Sequence, residues 1–94
     1  MIRVPDQRPN DRLDYGVDWG PFLDLHEGDA IATAEWINPH EGEFVVDEPG
    51  LVDGRVHRAF FTGGTIGHAY RITSGITTTE GRTRHESIVI LIKG

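Results

Sequence analysis

Histidine and carboxylate side chains, the residue types that bind zinc together with cysteine, form two short groups in the first half of this 94-residue chain. The groups are His26, Glu27 and Asp29, and then His40 and Glu41. A zinc site needs three or four such ligands close together. Residues 30–37 lie between the groups and read as a strand, which at ~3.3 Å per residue would hold the groups roughly 25 Å apart. We therefore predict solvated loop charges, with no metal site and no cofactor.

Carboxylate pairs and serines are the other residues that could do chemistry. The carboxylate pairs are Asp14 with Asp18 and Asp47 with Glu48. A glycosidase needs such a pair held across a cleft, and no segment of the chain predicts a cleft. Ser74 and Ser87 lie on predicted strands and lack the Gly-x-Ser-x-Gly turn that exposes a nucleophile. The sequence therefore predicts no catalytic residue and a protein that is not an enzyme.

Composition and charge limit the class of protein. The chain has no cysteine, so disulfides and thiolate metal sites are excluded. Its 15 acidic and 9 basic residues give a net charge of −6, which opposes binding to nucleic acid. The longest apolar run, residues 88–92, is too short to span a membrane, and the first residues lack the apolar core of a signal peptide. These features indicate a protein made in a cytosol or packed into a particle assembled there.

The pattern of the first half predicts strands separated by turns. Leu13, Tyr15, Val17 and Trp19 alternate with polar or glycine residues, which is the period of a half-buried strand. In residues 30–37, we expect Ala32, Ala34 and Trp36 to share one face. Residues 43–46 form a further short strand. Residues 1–12, with Pro5 and Pro9, read as an extended arm outside the sandwich, either a frayed terminus or a segment ordered against a neighbouring subunit.

The second half predicts three more strands. Asp53-Gly54 between apolar flanks indicates a type I′ hairpin turn, because both central residues of that turn need positive φ. Strands follow at residues 55–62, 68–78 and 86–93. The last is apolar on both faces, so it is either central in its sheet or covered from outside. No segment shows the pattern of a helix, and about seven short strands with regular turns predict an all-β sandwich at residues 13–94.

Two aromatic residues indicate which kind of sandwich this is. Tyr70 follows Gly67 by three residues at the start of a strand, the position of the tyrosine whose hydroxyl turns back to the upstream backbone in immunoglobulin-like domains. Trp36 would fill the space between the sheets, as in fibronectin type III domains. The predicted core residues are Trp36, Tyr70, Ile72, Ile76, Ile88 and Ile90.

Four segments, which follow one another in a set order along the chain, carry a family resemblance. They are residues 13–19 (LDYGVDW), 29–36 (DAIATAEW), 62–73 (TGGTIGHAYRIT) and 76–88 (ITTTEGRTRHESI). In order and spacing this set resembles the small structural proteins of tailed bacteriophages that are labelled phage fibre–tail adaptor proteins. The resemblance covers most of the chain.

The resemblance implies a non-enzymatic virion protein, assembled in the bacterial host cytoplasm, that docks in many copies to other tail, fibre or capsid proteins. Two placements stay open: a tail or fibre adaptor, and a decoration protein on the head shell. The candidate contact elements are the arm, the loop at residues 40–54 and the last strand. The candidate contact residues are Val4, Arg8, Arg12, Phe44, Val46, Val89 and Leu91.

A free carbohydrate- or protein-binding module is the third alternative. It would use Trp19, Phe22 and Phe61 as an exposed platform on which sugars stack. Burial of the same three rings in the core is the competing interpretation.

Overall fold

Seven strands and one short helix make up the structure, a computed structural model that describes residues 2–94. The strands are β1 (Ile2–Arg3), β2 (Arg12–Asp18), β3 (Ile31–Ile37), β4 (Phe44–Val52), β5 (Val56–Gly63), β6 (Ala69–Thr78) and β7 (Thr83–Leu91), and the helix α1 (Gly20–Asp24) follows β2. The prediction of an all-β fold is confirmed.

The strands form two sheets that pack face to face. One has the order β1-β7-β6-β3 and the other β2-β5-β4. In both sheets all pairs are antiparallel except β1 with β7. The arrangement of β2 to β7 matches the two sheets of a constant-type immunoglobulin domain, with β4 beside β5. The predicted immunoglobulin-like sandwich is therefore confirmed.

The turn between β4 and β5 follows the predicted chemistry. Asp53 and Gly54 have φ values of 53° and 68°, and the Arg55 N–H donates to the Val52 carbonyl at 3.1 Å. The pairing of Val52 with Val56 leaves Arg55 as a third loop residue beyond the predicted two-residue turn. The positive φ values confirm the turn expected from the Asp-Gly pair.

Helix α1 corrects the prediction that the chain has no helix. Its five residues, Gly20–Asp24, make little more than one turn, so the sequence contains no periodic apolar pattern to reveal it. Pro21 fits the first turn, where a missing N–H leaves no bond unmade. The helix places Leu23 in the core, where it is buried together with Trp19 of the preceding turn.

A β-bulge in β3 corrects the predicted faces of that strand. The register with β6 shifts between Ile31 and Thr33. Because a bulge inserts one extra residue, Ala32 becomes exposed, while Ile31, Ala34 and Trp36 pack against the core.

The core lies between the two sheets and is rich in aromatic rings and isoleucines. Phe44 stacks on Tyr70 with ring centroids 4.8 Å apart, and Phe61 lies edge-on to Trp36 at 5.4 Å. The apolar side chains that are buried are Val17, Trp19, Leu23, Phe44, Ala59, Phe61, Tyr70, Ile72, Ile76, Ile88, Ile90 and Ile92. Of the predicted core residues only Trp36 keeps part of its surface exposed.

Strand β7 lies inside its sheet, since β6 pairs with one edge and β1 with the other. Ile2 pairs with Ile88, and the Gln7 N–H donates to the Leu91 carbonyl at 3.0 Å. Residues 2–7, which we predict from the sequence to lie in a separate arm, thus extend the sheet. Met1 lies outside the described residues. The one helix within residues 2–94 has five residues, too few to span a membrane.

Candidate functional site

The histidines and carboxylates considered as metal ligands do not come together. No group of three or more histidine, aspartate or glutamate side chains within residues 2–94 is arranged to hold a metal ion. Asp29 is one of these candidate ligands, and its carboxylate is hydrogen-bonded to the turn between β6 and β7. It accepts hydrogen bonds from Thr79 Oγ1 at 2.9 Å, the Glu80 N–H at 3.1 Å and Arg82 Nη1 at 2.9 Å.

The Asp29 carboxylate therefore has a structural role. Burial by itself would raise its pKa, but hydrogen bonds from Thr78, Arg82, Thr79 and the Glu80 backbone more than offset this effect. The pKa of Asp29 is held well below its ordinary value. Such a carboxylate stays ionised and fixes the β6–β7 turn against the loop that precedes β3.

Three of the four carboxylates in the two candidate pairs form surface ion pairs, while Asp18 Oδ1 accepts a hydrogen bond from the Gly20 N–H at 2.8 Å. Arg12 bridges Asp47 at 3.2 Å and Glu48 at 3.0 Å, and Arg58 lies 3.5 Å from Asp14. Arg12 also stacks over the Phe60 ring at 4.0 Å. The ion-paired residues cover the outer face of the three-stranded sheet. Each of the three carboxylates there lies beside an arginine and is exposed to solvent.

A histidine and a serine meet in the core, a contact that no pattern in the sequence indicates. His57 Nδ1 and Ser74 Oγ share a hydrogen bond at 2.6 Å, and Trp19 Nε1 donates to the same Oγ at 3.2 Å. Trp36 stacks on the His57 ring at 4.4 Å. Ser74 is completely buried and His57 is 2% exposed, so no substrate could reach the hydroxyl. The pair satisfies buried polar groups between the sheets.

This buried histidine makes the stability depend on pH. Burial lowers the pKa of His57 below its ordinary value of 6.5. The unfolded chain therefore binds a proton at a higher pH than the folded protein does. The contribution of neutral His57 to the free energy of unfolding is present above about pH 6.5 and is lost as the pH falls toward the lowered pKa of the folded state.

We expect the free energy of unfolding, measured with urea, to fall between pH 7 and pH 5. In His57→Asn, whose amide can still contact Ser74 but does not titrate, the decline should be smaller. His85→Asn, at an exposed histidine, is the control and should keep the full decline. Equal declines in the wild type and His57→Asn would contradict this assignment.

Tyr70 makes the backbone contact expected of its position. The Thr65 N–H donates to the Tyr70 hydroxyl at 2.7 Å, and that hydroxyl donates to Glu43 Oε1 at 2.6 Å. Thr65 Oγ1 donates to the same carboxylate oxygen at 2.9 Å. The hydrogen bond from Tyr70, followed by that from Thr65, lowers the pKa of Glu43. This network ties the start of β6 to the loop before β4.

Tyr70→Phe should lower the free energy of unfolding by about 1 kcal/mol or more, because the Thr65 N–H loses its acceptor and the Glu43 carboxylate loses one of its donors. The matched control is Tyr15→Phe, since the Tyr15 hydroxyl forms no hydrogen bond with any described residue. Thermal unfolding of the two variants measures the difference. A Tyr70→Phe melting temperature equal to that of the wild type would contradict the structural role of the bond.

The aromatic platform proposed for sugar binding is not formed. Trp19 is 4% exposed and Phe61 is completely buried, so both rings belong to the core. Only Phe22 keeps part of its surface, and it packs edge-on against Trp19 at 6.1 Å. These positions correct the interpretation of the three rings as a stacking surface.

The residues predicted to contact partners occupy different surroundings. Phe44 is 1% exposed and packs in the core, which corrects its prediction as a contact residue. Val4 and Val46 pack partly against the core, while Arg8 is exposed. Val89 and Leu91 are half-buried, and residues 2–7 pair with this edge of β7, so the edge proposed as a contact element is occupied by this chain itself.

The edge of the four-stranded sheet opposite β1 is formed by β3 and has no further strand beside it. An open cavity of about 500 Å³, here called the edge groove, lies between the facing edges of β3 and β4. Its walls are Ala34, Glu35 and Trp36 from β3 and Val45, Val46 and Pro49 from β4. At one end Asn38 Nδ2 donates to the Phe44 carbonyl at 2.8 Å and joins the two strands. Nothing in the sequence pattern indicated this groove, because it depends on how the sheets are stacked.

Comparison with known proteins bears on what such a surface is for. A protein-family model described as the podophage GP4 fiber-tail adaptor protein gp77 matches residues 7–91 of the chain. This match confirms the resemblance found in the sequence motifs. No curated protein matches the chain.

Proposed function

This chain belongs to the family of podophage GP4 fibre–tail adaptor proteins, and from that premise we propose that it docks in several copies to other tail and fibre proteins of the virion. The family match makes the chain a structural protein of the phage tail, and thus a part of the virion. The observation that carries the proposal is the length of the match, which includes every strand from β2 to β7.

The geometry supports docking as the way this protein acts. Several of the polar groups considered for chemistry are buried, as in His57 and Ser74, or engaged in fixing turns and surface ion pairs, as in Asp29 and Arg12. The function is then carried by contacts that the surface of the protein makes with its partners. The molecule measures 45 × 21 × 19 Å, and β3 and β4 are edge strands of its two sheets. A contact of ~800 Å² on each partner is enough for stable docking.

Electron cryo-microscopy of the intact particle tests this proposal. We expect density for the sandwich at the tail, in a small number of copies related by the symmetry of the tail or of its fibre attachment. Copies tiled over the head shell would replace the adaptor with a decoration protein. Absence from purified particles would overturn a virion role and favour a free binding module.

A further inference from the structure

The structure carries one surface that neither the sequence nor the family description assigns. We propose that the edge groove, with the free edge of β3, receives an extended segment of a different virion protein whose basic side chains alternate with apolar ones. This inference rests on the proposed function, since it names the chemistry of one of the docking partners. The segment would add to the four-stranded sheet as a new strand beside β3.

The backbone of β3 is suited to this addition, while that of β4 is not. From Thr33 to Ile37, β3 pairs without interruption with β6 on one side, and its other edge faces the groove. Strand β4 is broken between Asp47 and Gly50, where Glu48 has a φ of 47°. Pro49 in that break has no N–H to donate. Bulges and prolines are the features that keep a strand edge from pairing with another chain.

The side chains of the groove indicate alternation in its occupant. Ala34 and Trp36 are half-buried on the inner side of β3, and Glu35 between them is exposed. Val45, on the opposite wall, is 47% exposed. Because neighbouring residues of a strand point to opposite faces, an added strand would place every second side chain beside Ala34 and Trp36. Apolar residues at those positions would remove the exposed surface of Ala34 and Trp36 from water.

The charges of the groove decide between a second copy of this chain and a basic partner. Within residues 2–94, neither Glu35 nor Glu41 at the groove has a cation as ion-pair partner. Glu35 is the central residue of the regular segment from Thr33 to Ile37. Two copies paired antiparallel about that centre would set Glu35 opposite Glu35, and like charges directly opposite each other destabilise a sheet. The net charge of −6 adds repulsion between copies. A lysine or arginine opposite Glu35 reverses both effects.

Site-specific photocrosslinking in assembled particles tests the proposal. A photoreactive residue replaces Ile37, at the end of the β3 edge, or Leu13, on β2, as the matched control. The two side chains are 42% and 40% exposed, and both lie on strands at sheet edges. From position 37 we expect cross-links to one segment of another virion protein, with lysine or arginine at every second position and apolar residues between. From position 13 we expect no cross-link to that segment.

Charge reversal adds a quantitative readout in the same particles. Glu35→Lys should lower the yield of the cross-link from position 37 roughly tenfold, because it exchanges an attractive cross-strand pair for a repulsive one. Glu27→Lys, at an exposed loop residue on another part of the surface, makes the same change in net charge and should leave the yield within about twofold, as surface substitutions usually do.

The outcomes separate this inference from the proposed function. Particles that contain the chain but give no cross-link from position 37, or a cross-link to a second copy or to a segment without basic residues, overturn the inference and leave the adaptor role standing. An equal loss of yield in Glu35→Lys and Glu27→Lys overturns the role of Glu35. Particles that lack the chain overturn both proposals.

Discussion

Replacing Gly64 with alanine is expected to lower the free energy of unfolding by roughly 3 kcal/mol, through backbone strain and a steric clash acting together. Gly64 has a φ of 93°, a conformation that residues with a Cβ rarely adopt. A Cβ at this position would lie 2.8 Å from Ile92 Cγ1 and 2.8 Å from Tyr70 Cε2. Both neighbours are buried, so neither can move aside without disturbing the core.

Gly67→Ala separates the two contributions. Gly67 has a similar φ of 89°, but no described atom outside its immediate chain neighbours lies within 4 Å of the position that its Cβ would take. The control should therefore show the backbone strain alone, about 1–2 kcal/mol. Urea unfolding of both variants measures the difference. Equal losses in the two variants would mean that the approach of Gly64 to Ile92 and Tyr70 is less close than the structure has it.

The second large effect is expected for Phe61→Ala, which should lower the free energy of unfolding by about 3–5 kcal/mol. Phe61 is completely buried and its ring contacts Tyr15, Trp36 and Phe44. Truncation to alanine leaves a cavity that is bordered by aromatic rings from three different strands. Because those rings are fixed by their own neighbours, the cavity can collapse only in part.

Phe60→Ala is the matched control, since it removes the same atoms from the adjacent residue. The Phe60 ring lies half-buried on the outer face of the sheet, under Arg12. We expect a loss of about 1 kcal/mol from the lost packing and cation–π contact. Thermal or urea unfolding of the pair gives the comparison. If Phe60→Ala lowers the free energy of unfolding as much as Phe61→Ala does, the assignment of Phe61 to the core and of Phe60 to the outer face is contradicted.

The sequence was sufficient for features that depend on local pattern. Alternation along residues 70–76 predicts Tyr70, Ile72 and Ile76 in the core, where the structure has them, because a strand with one buried face repeats every two residues. The Asp53-Gly54 turn could also be predicted, because few residue pairs tolerate positive φ at both positions. The position of Tyr70 after Gly67 indicated the contact of its hydroxyl with the backbone of Thr65.

Features that depend on distant parts of the chain could not be predicted in this way. The hydrogen bond between His57 and Ser74 forms because two strands of different sheets face each other, and neither residue has a pattern that names the other. The bulge in β3 changes the face of Ala32 through one extra residue, which alternation alone does not show. The groove between β3 and β4 depends on the relative placement of two sheets that no pairing joins.

The parallel pairing of β1 with β7 has a consequence for how the protein is made. Ile2 is synthesised long before its partner Ile88, which leaves the ribosome only when the rest of the sandwich has already been translated. Contacts between residues so distant along the chain also slow folding, since the intervening loop must close first. During that interval β1 has no strand beside it. Nascent copies on one polysome could exchange their first strands at this stage, and a low local concentration of unfinished chains would favour closure within each molecule.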